Sequence, residues 1–543
     1  MPNEEGERMA AMVSQKDKRS GLTYAYESVS HWDKEKKQSR AKRTLIGRVD
    51  ESTGEIIPTD GRNRKEKQSP SAKRGPVPAE RTARFFYGAT YLLDTLGEKL
   101  GVAPDLKQCF PDSWRKILSI AYYLVLEDHS PLSRFEKWAG LHKHPYGDTL
   151  PSQRSSDLFA CVTEEGKQEF FRLQGRRRSE KEYWVYDITS ISSYSESLRQ
   201  VQYGKNKEDD HLPQLNLALV YGETTGLPFY YRKLAGNIPD SKTVKHLLAD
   251  LNTLGFSRSK LVLDRGFYSA DNVNALLKDH VKFLMGGLMT LNLVRSNLEG
   301  LYDDFRTFEH YDDTYELYHH TVRVPWPYSQ ERPYKKDTLK GNRRLYIHYY
   351  YNADQAAEKE KALDKMLIGL KRELESDQRM AVHEPIVTKY FEVKTTPKRG
   401  AHVVVKEDAV HRAKKYGGFF CLLTNEKLEA IPALEIYRNK DLVEKAFGNL
   451  KERLNLRRTL VSSEQSLDGK LFVAFVSLIF LSTIKKRMQD TGLFKKYTLQ
   501  ELLDKLDVIE CFETPGQRMR VGEILEKQKD IYRCLDVDPP SSL

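Results

Sequence analysis

Residues Leu261–Leu288 read LVLDRGFYSADNVNALLKDHVKFLMGGL. LVLD has the form of a short buried strand. ADNVNALLKDH spaces its apolar residues for a helix, and VKFLMGGL returns to a strand. Upstream, YWVYDITSIS (183–192), LNLALVYGE (215–223) and LPFYYRKLAG (227–236) are rich in aromatic and β-branched residues and read as three more strands. SKTVKHLLADLNTLG (241–255) reads as a helix closed by Gly255. Strands followed by strand–helix–strand units imply an α/β domain with a mixed sheet.

Outward from this block the pattern changes. Residues 291–415 mix strand-like pieces (TYELYHHTVRV, RRLYIHYYYN, AHVVVKE) with one charged helix, and are too long for a loop. They read as a β-rich inserted subdomain. The α/β pattern resumes over 416–490 with the strand GGFFCLLTN and a long helix from about Lys440 to Leu456. Residues 491–543 form a charged, helical C-terminal segment, a candidate for dimerisation. Over 81–180, FFYGATYLLDTLGEKLG and SWRKILSIAYYLVLED have helical spacing, and Ser152 is a candidate N-cap. A helical DNA-binding domain is expected there, although periodicity does not separate a recognition helix from a packing helix.

Residues 1–80 read as a basic arm ending in a linker, KEKQSPSAKRGPVPAE. Lys34, Lys36, Lys37, Arg40, Lys42, Arg43 and Arg48 form a cluster opposed within it only by Glu35. Such a cluster suits phosphate neutralisation, and a solvated charged face fits the composition equally well. The whole chain carries 88 Lys+Arg against 77 Asp+Glu, which favours a polyanionic partner. The five cysteines are scattered without metal or disulfide spacing. No signal peptide is expected, and Leu471–Ile484 reads as a buried helix rather than a membrane span. The Gly-Lys pairs lack the rest of a P-loop, so no nucleotide is expected. A cytoplasmic location follows as an expectation.

Asp187 follows YWVY and Asp264 follows LVL, and ligands collect at the carboxyl ends of strands in open α/β sheets. In EIYRNKDLVEKAFGNLKERLNLRR (435–458), Tyr437, Lys440, Glu444 and Lys451 fall on one face of a continuous helix. A charge-laced surface helix would use similar residues. Three carboxylates flanked by cations suit Mg²⁺ and in-line displacement at phosphorus.

These residues resemble the DDE-type transposases of bacterial insertion sequences, in the group with a Y-x2-R-x3-E-x6-K signature. Here the signature is Tyr437, Lys440, Glu444 and Lys451, with Lys in place of Arg. VYDITS, LVLDRGFYS, FFCLLTN and GKLFVAFVSLIFLS extend the resemblance over about 181–490. It implies a ribonuclease H-like catalytic core, with its first part at 181–290 and its second at 416–490, interrupted by the insertion. By this resemblance Asp187, Asp264 and Glu444 are catalytic and hold two Mg²⁺ ions, for which Mn²⁺ substitutes. Tyr437, Lys440 and Lys451 contact DNA phosphates, and Lys36, Lys37, Arg40, Lys42 and Arg43 add to DNA binding from the arm. The implied activity is cut-and-paste transposition by a nucleoid-associated bacterial homodimer on double-stranded DNA. A metal-activated water nicks the element end, and the 3′-OH is joined to target DNA. Two alternatives share these residues: a DNA-binding descendant without strand transfer, and a nuclease of the same fold that only hydrolyses. Trp326 reads as a core residue.

Overall fold

Within the first eighty residues, the described ones fold through the alternation in GLTYAYESVSHW and RTLIGRV, which the charge count conceals. In the computed structural model, the described residues of the unit Met1–Pro78 form an antiparallel meander. Its strands are β1 (Ala10–Lys16), β2 (Thr23–Asp33), β3 (Gln38–Val49) and β4 (Ile56–Pro58), paired in that order. A sheet therefore stands where an arm is expected. Gly47 is required where β3 meets β4, because a Cβ there would lie 2.2 Å from the Ile57 carbonyl oxygen. The structure describes residues 10–33, 37–58, 82–177, 182–205, 207, 211–256, 259–376, 380–396, 400–459, 461 and 463–541.

The second unit, Ala79–Leu543, begins with β5 (Ala83–Phe86). Six helices follow: α1 (Gly88–Lys99), α2 (Val102–Cys109), α3 (Trp114–Leu126), α4 (Phe135–Ala139), α5 (Ser152–Ala160) and α6 (Glu164–Arg176). Ser152 opens α5 and Pro151 occupies its cap position. Next come β6 (Tyr183–Ser193), β7 (Gln214–Gly222), β8 (Pro228–Ala235), α7 (Asp240–Thr253), β9 (Lys260–Leu263), α8 (Ala270–Lys278) and β10 (Lys282–Gly286). β6, β7 and β8 are an antiparallel meander, while β9 pairs parallel with both β6 and β10. This is the mixed sheet that the strand–helix–strand pattern predicts.

The 291–415 interval departs from expectation. After α9 (Asn292–Glu299) and β11 (Tyr311–Asp312), the long strands β12 (Leu317–Arg332) and β13 (Asp337–Tyr351) form a hairpin. Through β13 it joins the main sheet beside β16 (Phe419–Thr424), so it extends the core rather than leaving it. Only the stretch between β13 and β16 stands apart. It comprises α10 (Ala353–Glu375), α11 (Glu384–Tyr390), β14 (Phe391–Thr396), β15 (Gly400–Val405) and α12 (Glu407–Lys415), around a small core of Leu370, Val387, Tyr390, Phe391 and Val410. That satellite is more helical than β. Trp326 is a core residue, buried with its indole N–H donated to Asn274 Oδ1 at 2.9 Å.

The rest of the unit is α13 (Ala430–Arg438), α14 (Asp441–Gly448), β17 (Arg458–Thr459), α15 (Glu464–Asp490), α16 (Leu499–Asp507), β18 (Glu510–Glu513), β19 (Arg520–Val521) and α17 (Glu526–Cys534). α15 is long and apolar enough to cross a bilayer by length and composition, yet it is buried here by protein. Phe472 meets Phe110 at 5.2 Å, Phe480 meets Tyr122 at 5.5 Å, and Phe475 meets both Phe171 and the sheet residue Tyr231. The helices of 81–180 thus share one core with the sheet. Arg177, at the end of that block, forms a two-pronged pair with buried Asp105. The C-terminal segment folds back as well, with β18 on β5 and the Tyr532 hydroxyl donating to the Gly88 carbonyl at 2.8 Å.

α15 packs tightly on α5 at Gly469, where a Cβ would lie 2.4 Å from Phe159 backbone and side-chain atoms. Gly469→Ala should therefore lower stability by about 1–3 kcal/mol, the usual cost of overpacking a tight core. A smaller loss in urea unfolding at unchanged m-value would show that the two helices separate easily.

Candidate active site

The parallel register of β6 and β9 pairs Tyr186 with Leu263, so Asp187 and Asp264 come next on adjacent strands. Strands pair at about 4.8 Å. Asp264 ends its strand, as expected, and the chain then turns into Arg265–Phe267. Asp187 does not end one. β6 runs on to Ser193, still paired with β7, and β17 joins its other edge only at Ser192. Between Leu263 and Arg458 the edge of β6 has no strand beside it among the described residues, and the Lys207 ammonium meets it at the Ile188 carbonyl.

Asp264 is held from several sides. The Tyr437 hydroxyl donates to its Oδ1 at 2.8 Å, and the Lys440 ammonium lies 3.6 Å from the same oxygen. Burial alone would raise this carboxyl. The Tyr437 hydrogen bond, Lys440 and the backbone N–H groups of Arg265 and Gly266 outweigh burial and hold it below its ordinary value. Tyr437 approaches over Gly286, where a Cβ would lie 2.6 Å from the phenol oxygen. Asp187 is tuned oppositely. Burial pushes it up to about 6, with the Asp264 charge adding to the shift and Lys207 and the Ile188 N–H pulling back.

The signature residues do not share one continuous helix. α13 ends at Arg438, α14 begins at Asp441, and a π segment, Asn449–Arg453, follows it. Tyr437, Lys440, Glu444 and Lys451 therefore occupy three local segments, although Tyr437, Lys440 and Glu444 remain neighbours. The break is productive. It lets Tyr437 drop onto Asp264 from α13 while Lys440, at the start of α14, reaches both Asp264 and Glu444. Its ammonium lies 2.9 Å from Glu444 Oε1. Lys451 lies in the π segment, out of α-helical register with Glu444.

Lys207 and Asp240 escaped the sequence reading. The Lys207 ammonium donates to the Ile188 carbonyl at 2.6 Å and pairs with Asp240 at 3.2 Å. Asp240 opens α7 beside the Gly266 turn, 3.9 Å from where a Gly266 Cβ would stand. The available signal was an acidic residue just after a proline at a helix start, with GKNKEDD preceding β7. Of the N-terminal cations, Lys36 lies outside the described residues. Lys37 occupies a turn with φ 47°, and Arg40, Lys42 and Arg43 lie exposed on β3. Arg40 and Lys42 share one face and Arg43 takes the other, where it donates to Gln15, so they do not form one patch.

Asp187 and Asp264 are hard oxygen donors on neighbouring strands, and an ammonium already compensates the second. That donor set fits a divalent cation that keeps part of its water shell. Among the described residues no three His, Cys, Asp or Glu side chains converge closely enough to form a metal cluster by themselves. Glu444 is linked to Asp264 through Lys440, whose ammonium lies between the two carboxylates.

The sequence model of the transposase DDE domain matches residues 178–480, more than half of the chain. The chain belongs to the transposase DDE domain family. The matched segment of this transposase runs from just before β6 into α15 and contains all three carboxylates. A solved piggyBac transposase synaptic complex with hairpin DNA is 9% identical, over 73% of this chain and 70% of that one, at a TM-score of 0.35. No curated protein matches the chain.

Two outcomes follow. The native Asp187 carboxyl sits near 6 against 3.8 for the unperturbed group. The native state therefore binds the extra proton between those values, and Asp187 costs stability as pH rises from about 4 to 6. Asp187→Asn should match the wild type in stability near pH 4 and exceed it increasingly up to pH 6, with a constant excess above. Thermal melts across pH 4–8 read this directly, and a pH-independent difference would contradict it. Tyr437→Phe should weaken Mg²⁺ binding about 10–100-fold, the usual loss when a ligand's hydrogen-bond partner is removed. Calorimetric titration with Mg²⁺ would detect an unchanged affinity.

Proposed function

We propose that this transposase cleaves and joins DNA at the ends of an insertion sequence, using Asp187, Asp264 and Glu444 as ligands for two Mg²⁺ ions on a ribonuclease H-like core. The observation that carries the proposal is the placement of Asp187 and Asp264 just past the paired Tyr186 and Leu263 of adjacent parallel strands, with Lys440 linking Asp264 to Glu444. An antiparallel meander followed by two parallel strands supports the core assignment.

Divalent ions bound at such carboxylates supply an activated water or hydroxyl and stabilise the leaving oxygen in displacement at phosphorus. The chain's residues prepare the site. Tyr437 and two backbone N–H groups fix the Asp264 carboxylate in its ionised form. Burial raises the Asp187 carboxyl, and a cation bound beside it would favour its ionised form. Lys440 neutralises Asp264 and Glu444 in the metal-free site, and with cations bound there it would be available to a DNA phosphate. As a point charge, Lys can exchange carboxylate for phosphate without the bidentate geometry an Arg would lose. Lys207, fixed to the Ile188 carbonyl and Asp240, adds a second cation at the open edge of β6.

Asp187→Asn, Asp264→Asn and Glu444→Gln should each abolish Mg²⁺-dependent nicking of a duplex carrying the element's terminal inverted repeat, while gel-shift affinity for that duplex persists. Nicking at wild-type rate by any one of them would remove that carboxylate from the site.

A further inference from the structure

The β12–β13 hairpin continues well past the sheet that anchors it. Strand register places Arg344 level with the first residues of β9 and β10, whereas Asp264 follows the last residue of β9. Lys340 lies four residues further out. At about 3.3 Å per residue it stands roughly 25 Å along the strand direction from the level of the carboxylates. The arm therefore runs away from the catalytic end.

Arg323–Arg344 holds seven Lys and Arg against two acidic residues, Glu331 and Asp337. Among the described residues, Arg332 alone of the seven is ion-paired, with Asp337. The two faces differ. One buries Val324, Trp326 and Tyr328, with Trp326 bonded to Asn274 of α8. The other carries Arg323, Lys340 and Arg344, all exposed and on the same side by register. Tyr334 stands fully exposed at the tip between Arg332 and Lys335.

We propose that this face of the arm is a second, sequence-independent contact for the DNA backbone, separate from the catalytic cleft. It rests on the reading that the protein acts on DNA. Lys340 and Arg344 are about 13 Å apart along the strand, close to four nucleotide steps of about 3.4 Å along one DNA strand. A two-stranded ribbon also has the width that the major groove admits. A strand of another protein fits poorly. Beyond its short pairing with β11, the outer edge of β12 carries Pro325 and Pro327, which remove N–H donors from that edge and blunt it against strand addition.

The test uses the full chain with Arg323, Lys340 and Arg344 all changed to Ala, and a random-sequence duplex as probe. Affinity is measured across a salt series. Loss of three phosphate contacts should flatten the log K against log salt slope by about two to three units. Arg323→Lys with Arg344→Lys should retain the slope, and unchanged melting would show that the fold is intact. If the triple variant keeps the wild-type slope, the arm does not touch DNA and the proposal falls, while the catalytic reading stands. Lost self-association in sedimentation, with DNA affinity unchanged, would overturn it in favour of a protein contact. If the wild type binds no duplex at any salt, the DNA reading and the arm proposal fail together.

Discussion

Two carboxylates on adjacent parallel strands in a half-buried cleft repel each other, and one cannot keep its charge cheaply unless the other is compensated. Much of the arrangement around Asp187 and Asp264 answers that constraint. Asp264 receives a phenol, two backbone N–H groups and an ammonium, and it stays ionised. Asp187 is raised chiefly by its burial, with the Asp264 charge adding, and Lys207, the Ile188 N–H and Lys440 offset only part of that. A site of this kind is electrostatically incomplete without added positive charge, which is the physical link between the geometry and a divalent cation.

The scaffold meets a second constraint. The cleft requires β9 to stop at Leu263 while β6 continues, and a strand edge left open in this way has to be held rigid from elsewhere. α15 backs the sheet through β8, where Phe475 meets Tyr231. Its residues Leu471–Ile484 are buried on every side, between the N-terminal helices and the sheet. β17 returns to β6 at Ser192, and Ile188–Ser193 are buried, so Asp187 is the half-exposed residue of that strand.

Much of this was legible because it depends on local pattern. The strands YWVYDITSIS and LVLD, the helix ADNVNALLKDH and the buried character of α15 follow from apolar spacing within single elements. So does the candidacy of Asp187 and Asp264. Other expectations failed where a pattern over a few residues had more than one three-dimensional outcome. Tyr437 to Lys451 fit one continuous helix on paper, but the break at Asn439–Lys440 and the π segment divide them among three segments. The cations of the N-terminal segment masked its strand alternation. The β12–β13 hairpin looked like part of an insertion because the sequence cannot say that β13 pairs with β16.

By itself, then, the sequence determined the identity of the elements, the acidic residues and their family pattern, because these are set by side-chain type and short-range periodicity. Tertiary structure alone decided which partners those residues meet. Tyr437 bonds to Asp264 across 173 positions, and Lys207 reaches Asp240 and the Ile188 carbonyl from a loop. Lys440 bridges two carboxylates, and the hairpin cations lie at the end of the sheet away from them. Strand register and helix breaks set these pairings, and both are fixed by packing between segments far apart in the chain, which local periodicity does not encode.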